Sequence, residues 1–486
     1  IAIKVVNDKL AKKLQEATEG YQNIEVVTVP DAYPMGWERV LIRELFKKEY
    51  DRFPGEIGII VNNATTAIYL SEALRDKKPI THRIVTISGE GVKNPENVYV
   101  PIGTSVDYII EKNTKEIKKE WIRNLLRISI YQITFMDSDN KGVVWEGTEL
   151  AKKKYGVAIS KFINGTLRNY LRNKDSELKR LGDEKNYELL YSIPKWFCDI
   201  LEKQYGNDNL KQVITSLKKI PYLSVRVNKL KYSEEEFEEF LKERDIQIIK
   251  KIDTVYYVNS GLIINSEEFK TGKIIAQDAS SYLAAKNLEV IPNELVLDIC
   301  AAPGGKTAVL AENMKNMGEI IAIDIHQHKI KLIDTNMKKL RIDIVKAIVM
   351  DARNVNKQGR KFDKILVDVP CSGYGVIRKK PEILYSKNKE NIEELAKLQL
   401  EILNSAADIL KDGGELIYST CTITDEENTN NIKKFLEERK EFKVEKLYIP
   451  ENVLGDFDSL GGFCINYKEK IMDNFYIIKL KKGEKC

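Results

Sequence analysis

A predicted strand passes into a predicted helix through the stretch Asp298-Ile-Cys-Ala-Ala-Pro-Gly-Gly-Lys-Thr307. The apolar run Leu295-Val-Leu precedes it, as in a buried strand, and Lys306-Thr-Ala-Val-Leu-Ala-Glu follows it with helical character. Gly304 and Gly305 permit positive φ and a close approach to the backbone, while the helix N-terminus behind them attracts an anion. The stretch therefore predicts a nucleotide-type turn that opens an α/β domain.

Strand and helix patterns alternate through the rest of the chain after this turn. This alternation predicts a doubly wound, Rossmann-like parallel sheet, whose ligands lie outside the carboxyl ends of its strands. Asp324 ends the second strand, where a carboxylate can bind ribose hydroxyls, and Asp351 follows the third, where it can accept a proton from an adenine amine. A helix cap is the alternative role for either aspartate. The predicted strands are 295–299, 319–324, 344–349, 363–368 and 414–419.

Two thiols and a carboxylate follow the last two predicted strands. Asp368-Val-Pro-Cys-Ser-Gly373 comes after the fourth strand and Ser419-Thr-Cys-Thr422 after the fifth, so Asp368, Cys371 and Cys421 should converge at one sheet edge. A thiolate that adds to carbon 6 of cytosine makes carbon 5 nucleophilic enough to attack a methyl sulfonium. Asp368 could act as the acid at ring nitrogen 3, and the second cysteine could assist product release.

Composition excludes few classes of function. The 486 residues allow three or four domains, and a net charge of +5 from 78 basic and 73 acidic side chains argues neither for nor against nucleic acid. No run of 18 apolar residues and no leader sequence is found, so we expect a soluble, cytoplasmic protein without membrane contact. The six cysteines form no Cys-x-x-Cys pair, so neither a metal site nor a disulfide framework is expected.

Residues 1–112 are predicted to form a separate α/β unit, with strands at 56–61 and 83–88 and a helix at 66–75. Three of its segments resemble the RnfC-like electron-transport family: Tyr33–Glu38, Val61–Thr66 and Thr86–Pro95. Members of that family bind flavin and nicotinamide and carry iron–sulfur clusters. Because this region has no cysteine, we interpret it as a fragment without the family's redox activity.

The middle of the chain is predicted to be helical and then mixed. A charged helical stretch, Glu111–Glu120, leads into apolar-faced helices that start at Trp121 and Val157. The second helix and the residues just after it present a surface that could face phosphates or could simply be solvated, with Lys161, Arg168, Tyr170, Arg172 and Lys174. Short alternating segments around an acidic helix then predict a small α+β module, and Asp278 is expected to cap the helix that opens the last domain.

The three motifs at the strand ends resemble those of the RNA 5-methylcytosine methyltransferases, with order and spacing similar to the RsmB (Sun/Fmu) family that modifies small-subunit ribosomal RNA. The resemblance runs from about Lys118 to the end. It implies S-adenosylmethionine as cofactor, ribosomal RNA as partner, Cys421 as nucleophile, Cys371 in product release and Asp368 as a catalytic residue. The implied cofactor pocket comprises Cys300, Ala301, Ala302, Pro303, Gly304, Gly305, Lys306, Asp324, Asp351 and Asp368.

The resemblance also implies four domains. They are the RnfC-like fragment at 1–112, a truncated NusB-like RNA-binding domain at 113–185, the α+β module at 186–275 and the methyltransferase domain at 276–486. Departures from the family pattern are Val369, the segment Met472–Tyr476 and the missing opening helices of the NusB-like domain, which could weaken RNA binding. Two alternative functions stay open: a flavin or nicotinamide redox protein acting through residues 1–112, and a non-catalytic RNA-binding scaffold.

Overall fold

The computed structural model describes the strand backbones 2–5, 25–28, 57–61, 82–86 and 97–98, and residues 105–484 except 115, 116, 118, 136, 137, 184, 185, 192 and 387. The chain divides into two compact units, Ile1–Pro194 and Lys195–Cys486. In the described part of the chain, no helix combines the length and the apolar character needed to cross a membrane.

The first unit begins with a five-stranded sheet in the order β2-β1-β3-β4-β5, in which only the β4–β5 pair is antiparallel. The predicted strands at 56–61 and 83–88 are confirmed by β3 and β4, whereas the helix predicted at 66–75 lies outside the described residues. The strands are β1 Ala2–Val5, β2 Glu25–Thr28, β3 Ile57–Val61, β4 His82–Thr86 and β5 Asn97–Val98.

In the part of the first unit that the structure describes, five helices follow the sheet, and the apolar faces of the first four meet in one core that includes Ile110, Leu126 and Leu167. The helices are α1 Ser105–Asn113, α2 Glu120–Phe135, α3 Asn140–Tyr155, α4 Val157–Asp183 and α5 Tyr187–Tyr191. Residue 112, where the sequence places the end of the first domain, lies inside α1. Helix α1 therefore belongs to the helical core by its packing.

Two local predictions in this helical region are wrong. The stretch predicted as one charged helix, Glu111–Glu120, is divided, because α1 ends at Asn113 and α2 begins at Glu120. The side chains of Asn113 and Thr114 donate to carbonyls of the last turn and so compete with its continuation. Tyr170 does not join the cationic surface, because its ring is buried in the core and its hydroxyl lies 2.7 Å from that of Thr134.

The second unit opens with α6 Lys195–Tyr205 and α7 Asn207–Leu217, followed by the predicted α+β module. Its four strands are antiparallel in the order β7-β8-β6-β9. Ser233 caps α8 through a reciprocal pair of hydrogen bonds with Glu236, so the acidic helix begins where its sequence predicts. The elements are β6 Leu223–Val227, α8 Glu234–Glu243, β7 Ile248–Ile252, β8 Val255–Val258, α9 Glu267–Lys270 and β9 Ile274–Ala276.

The largest sheet has nine strands, and its parallel half, β12-β11-β10-β13-β14, confirms the predicted doubly wound fold. β18 pairs with β14 in the antiparallel sense. The elements, in chain order, are α10 Ala279–Lys286, β10 Leu295–Ile299, α11 Gly305–Asn313, β11 Glu319–Asp324, α12 Gln327–Leu340, β12 Val345–Val349, β13 Phe362–Asp368, α13 Ile383–Ser386, α14 Lys389–Ile409, β14 Leu410–Thr420, α15 Thr429–Glu438, β15 Phe442–Glu445, β16 Asp456–Phe457, β17 Phe463–Ile465 and β18 Phe475–Lys482.

The central strands of this sheet are covered on both faces. Alternate residues of β10 enter different cores, with Val296 packed on one face and Leu297 on the other. This double burial explains why the strands are continuous apolar runs in the sequence. The strand order reverses between β10 and β13, so the turn after β10 and the loops after β13 and β14 lie at the sheet edge where doubly wound folds bind ligands.

Candidate active site

The glycine turn after β10 leaves open backbone in front of α11. Gly304 has a φ of +97°, and a Cβ at this position would lie 2.9 Å from Met337 Cε. Beside the turn, the buried Nε2 of Gln277 has no hydrogen-bond partner, whereas its Oε1 accepts from Arg226 Nε at 2.6 Å. A Cβ on Gly305 would lie 3.5 Å from this Nε2. An open backbone beside a free amide donor fits a ligand that carries a carboxylate.

The turn is attached to its strand through Asp298, which is fully buried at the end of β10. Its Oδ2 accepts from Thr307 Oγ1 at 2.6 Å, a bond that joins the strand to the first turn of α11. Burial raises the pKa of Asp298 to about 7. We therefore assign Asp298 a supporting role behind the turn.

The remaining residues predicted for the turn contribute mainly backbone. Cys300 has a φ of +58° and is half-buried, and burial raises the pKa of its thiol to about 12. Ala301 is buried, Ala302 packs against the core, and the carbonyl of Pro303 accepts from Asn336 Nδ2 at 2.8 Å. Because Cys300 has a raised pKa, its thiol is less reactive than an ordinary cysteine.

Asp324 and Asp351 lie at the carboxyl ends of the neighbouring strands β11 and β12. Asp324 is nearly buried and accepts from the backbone N–H of His326 at 3.3 Å, with Lys329 Nζ at 3.4 Å. Asp351 caps the short 3₁₀ helix 352–358 and binds Arg353, whose nearest nitrogen is 2.6 Å away. The hydrogen bond from the Arg353 side chain lowers the pKa of Asp351. The cap considered in the sequence is therefore present at Asp351, and a ligand would share that carboxylate with Arg353.

Lys306 from the glycine turn meets Asp368 at the end of β13. Lys306 Nζ donates to Asp368 Oδ2 at 2.7 Å, and Ser419 Oγ donates to Asp368 Oδ1 at 2.7 Å. Burial alone would lower the pKa of Lys306, but the charge and hydrogen bond of Asp368, together with the charges of Asp298 and Cys421, outweigh burial and raise the pKa. The lysine therefore stays cationic and fixes the direction in which the carboxylate points.

The two predicted thiols are in direct contact. Cys371 Sγ lies 3.0 Å from Cys421 Sγ, and neither cysteine forms a disulfide. The hydrogen bond from Cys371 lowers the pKa of Cys421, and the positive charge of Lys306 acts in the same direction. Donating that bond is also the largest reason that the pKa of Cys371 is raised well above its usual range, with burial next. Of the two thiols, Cys421 is therefore the one that gives up its proton more readily.

The structure thus brings together five of the residues singled out in the sequence, Gly304, Lys306, Asp368, Cys371 and Cys421, with Asp324 and Asp351 farther along the same sheet edge. Sequence reasoning assigned no role to three further groups: Ser419, Glu427, and the ion-pair network in which Lys379 binds Asp278 at 2.8 Å and Asp473 at 2.7 Å. Ser419 carried a signal because it lies in the Ser419-Thr-Cys motif, whereas Asp278 was predicted only as a helix cap and Asp473 only as part of the departing segment Met472–Tyr476.

Comparison with known families assigns most of the chain. The 16S rRNA methyltransferase RsmB/F model matches residues 285–481, and the ferredoxin-like domain of RsmF/B-like methyltransferases matches 193–267. The NusB family model matches 103–172, the Nuo51 FMN-binding domain 1–72 and the SLBB domain 84–112.

A relative from Bacillus subtilis (strain 168), named "Probable ribosomal RNA small subunit methyltransferase B", is 34% identical over 395 residues, which cover 78% of this chain and 87% of the relative. The chain belongs to the RsmB/F family. It is a methyltransferase whose cofactor is S-adenosylmethionine, as predicted. The predicted likeness of the N-terminal part to an electron-transport protein agrees with the Nuo51 match.

Two solved structures resemble this RsmB/F methyltransferase. The crystal structure of PH0851 has a TM-score of 0.64 and 27% identity, covering 93% of this chain and 99% of that one. A methyltransferase homolog protein from Pyrococcus horikoshii has a TM-score of 0.55 and 27% identity, covering 61% of this chain and 98% of that one. Both likenesses support the Rossmann-like fold described above.

Proposed function

We propose that this RsmB/F methyltransferase transfers a methyl group to carbon 5 of a cytosine in small-subunit ribosomal RNA through a covalent adduct on Cys421. The observation that carries the proposal is the thiol pair, in which Cys371 Sγ lies 3.0 Å from Cys421 Sγ and lowers the pKa of Cys421. A thiolate with a lowered pKa next to a carboxylate is the set of groups that addition to a cytosine ring requires.

We propose that S-adenosylmethionine binds across the turn after β10. Gly304, Gly305 and Gln277 would hold its carboxylate end, and Asp324 its ribose hydroxyls, since these groups offer open backbone, a free amide donor and a buried carboxylate. Asp351 would meet the adenine amine while still bound to Arg353. The bound cofactor supplies an electrophilic methyl group on its sulfonium.

In the proposed first step, the Cys421 thiolate attacks carbon 6 of the cytosine and forms the carbon–sulfur bond. The electrons of the carbon 5–carbon 6 double bond move into the ring toward nitrogen 3. Asp368 would face that nitrogen and act as the acid by passing on a proton from the Lys306 ammonium, whose Nζ lies 2.7 Å from Asp368 Oδ2. Carbon 5 then has enamine character and can attack the methyl group.

In the proposed last step, carbon 5 loses its proton to water, the carbon 5–carbon 6 double bond forms again, the carbon–sulfur bond breaks, and nitrogen 3 returns its proton to Asp368. The bonding electrons return to Cys421 as a thiolate. Because Cys371 lies 3.0 Å away and holds a proton, its thiol can donate a hydrogen bond to the departing sulfur. Cys371 would therefore favour release over return to the adduct.

The proposed RNA substrate rests on the named relatives and on the helical region. The Bacillus subtilis relative is named as a ribosomal RNA small subunit methyltransferase, and residues 103–172 match the NusB family. Lys161, Arg168 and Arg172 are exposed on α4, where they can contact phosphates without reading sequence. The target base must leave its stack to reach a thiol, so we expect it in an unpaired or readily opened segment.

Replacing Cys421 with serine tests this proposal. We expect methylation of small-subunit ribosomal RNA, measured with labelled S-adenosylmethionine and located by bisulfite sequencing, to fall by at least ~1000-fold, because a serine hydroxyl is almost wholly protonated at neutral pH. Cofactor binding should be unchanged. Cys371→Ser should keep adduct formation and slow product release.

The matched control is Cys464→Ser, since Cys464 is also half-buried but has a pKa raised to about 12 by burial. It should methylate at the wild-type rate. Full activity in Cys421→Ser would reject the covalent mechanism. Methylation at a position other than carbon 5 would reject the proposed product.

A further inference from the structure

Glu427 is a fully buried carboxylate whose side-chain hydrogen-bond donors, among the described residues, are all uncharged. Its Oε1 accepts from the backbone N–H of Ser372 at 2.8 Å and from Gln399 Nε2 at 2.8 Å. Its Oε2 accepts from Thr424 Oγ1 at 2.7 Å and from the hydroxyl of Ser372. Within the described part of the chain, no ion pair includes Glu427. A buried carboxylate without a cation is costly, so four hydrogen bonds to it indicate a specific role.

These four donors connect the two loops that carry the thiols. Ser372 directly follows Cys371, and its hydroxyl lies 2.6 Å from that of Thr422, which directly follows Cys421. Gln399 also donates to the carbonyl of Pro370 at 3.0 Å. Glu427 therefore bridges the loop after β13 and the loop after β14 through hydrogen bonds to both.

The charge of Glu427 acts unequally on the two thiols. After the bond to Cys421 and burial, the negative charge of Glu427 contributes to the raised pKa of Cys371. On the other side of the pair, Lys306 lowers the pKa of Cys421. A carboxylate beside one sulfur and an ammonium near the other favour a single arrangement of the shared proton.

We propose that Glu427 is a positioning residue that holds the two thiols in contact and keeps their shared proton on Cys371, so that Cys421 is the nucleophile. This inference rests on the proposed function of the thiol pair and adds the group that decides which sulfur attacks. The other titratable groups that act on the pair are Asp368 on both thiols, and Lys306 and Asp473 on Cys421. None of these belongs to the loop or helix that carries Glu427.

The charge can be removed while the contacts are kept. In Glu427→Gln, the amide oxygen can accept from the two N–H donors, and the amide nitrogen can donate to the hydroxyls of Ser372 and Thr424, since hydroxyls also accept. Ser372→Ala does the opposite, because it keeps the carboxylate and removes the hydroxyl that links the loops. Glu426→Gln is the matched control, with the same change one residue away on a half-buried side chain.

The test is competitive alkylation of the 486-residue chain with iodoacetamide between pH 6 and pH 10, with Cys371 and Cys421 quantified by peptide mass spectrometry. In the wild type, Cys421 should react faster. We expect Glu427→Gln to lower the Cys421 to Cys371 ratio by about tenfold, the effect of one pKa unit. Ser372→Ala should raise the pH midpoint of Cys421 by about one unit, the scale of one net hydrogen bond. Glu426→Gln should match the wild type.

An unchanged ratio in a folded Glu427→Gln protein would overturn the inference, as would an equal change in Glu426→Gln. If Glu427→Gln does not fold, as judged by circular dichroism, Ser372→Ala decides, and an unchanged midpoint there overturns the inference. Alkylation needs neither RNA nor cofactor. A normal alkylation pattern in a protein that methylates no RNA would therefore count against the proposed function and leave the role of Glu427 standing.

Discussion

At the site, two residues of the same type have different pKa values because their neighbours differ. Cys371 and Cys421 both follow a strand and both lie in a Ser/Thr-containing loop, so their local sequences are similar. Contact between their sulfur atoms lowers the pKa of Cys421 and raises that of Cys371, and the nearby Lys306 also acts to lower the pKa of Cys421. Residue types alone left open which cysteine attacks, and only the resemblance to a family chose between them.

The Asp278–Lys379–Asp473 network could not be predicted, because Asp278 and Asp473 are 195 positions apart. One ammonium serves two buried carboxylates there. Burial, followed by the charge of Asp278, raises the pKa of Asp473 to about 7. The network adjoins the thiol site through the backbone, since Asn474 N–H donates to the Gly375 carbonyl at 3.2 Å and Gly375 N–H donates to the Cys421 carbonyl at 3.0 Å.

This raised pKa predicts a pH dependence of stability. Between about pH 4 and pH 7, the folded protein keeps a proton on Asp473 that the unfolded chain has released, so the contribution of Asp473 to the free energy of unfolding falls as pH rises through that window. Asp473→Asn removes this contribution. Urea unfolding at several pH values between 5 and 8 should therefore show a shallower decline than in the wild type.

The pKa of Asp298 is also raised to about 7, so its contribution to the free energy of unfolding falls in the same pH window. Because Asp298 is present in both the wild type and Asp473→Asn, this contribution cancels when the two proteins are compared. Asp334→Asn is the control, because Asp334 is exposed on α12 and should leave the wild-type slope unchanged. If the free energy of unfolding changes with pH equally steeply in Asp473→Asn and in the wild type, the Asp473 carboxyl titrates normally in the folded protein.

At the scale of elements, the parallel strands were predictable because both faces of the sheet are covered. Burial on two sides requires continuous apolar runs, which stand out in the sequence, and β10 and β11 coincide with their predicted bounds. The start of β14 was less predictable. It begins at Leu410, before the predicted 414, although Gly413 has a φ of +76°. Pairing with β13, across a register shift, extends the strand through a glycine-containing segment.

The geometry of the turn between β10 and α11 predicts that a methyl group added at Gly304 weakens cofactor binding. Gly304→Ala would force a side chain into positive φ and place its Cβ 2.9 Å from Met337 Cε. Strain of ~1–2 kcal/mol at the turn should weaken S-adenosylmethionine binding by roughly tenfold or more, measured by calorimetry. The methyl group of Gly304→Ala would also keep the ligand farther from the backbone of the turn.

Gly165→Ala is the matched control for the turn. Gly165 lies in α4, and a Cβ there would meet no atom within 4 Å. Its cofactor affinity should equal that of the wild type, and its stability should be unchanged or slightly higher, because alanine favours helix. Wild-type affinity in Gly304→Ala would place the cofactor away from the turn.

At the scale of the whole molecule, the site is assembled from segments more than 100 residues apart in sequence. Lys306, Asp368 and Cys421 could be predicted to meet, because the carboxyl ends of parallel strands share one edge. Glu427 and Gln399 could not, since their contacts depend on how α14 and the loop before α15 pack behind that edge. Topology therefore predicts which groups line the site, whereas packing decides their charge and orientation.

The central claim is that Cys421 bonds to the target cytosine, and a trapped adduct tests it most directly. Small-subunit ribosomal RNA containing 5-fluorocytidine would be incubated with the protein and S-adenosylmethionine. Because fluorine cannot leave carbon 5 as a proton does, the covalent intermediate should persist for peptide mapping by mass spectrometry. We predict a nucleotide attached to Cys421. A nucleotide on Cys371, or no adduct while unmodified RNA is methylated normally, would contradict the account.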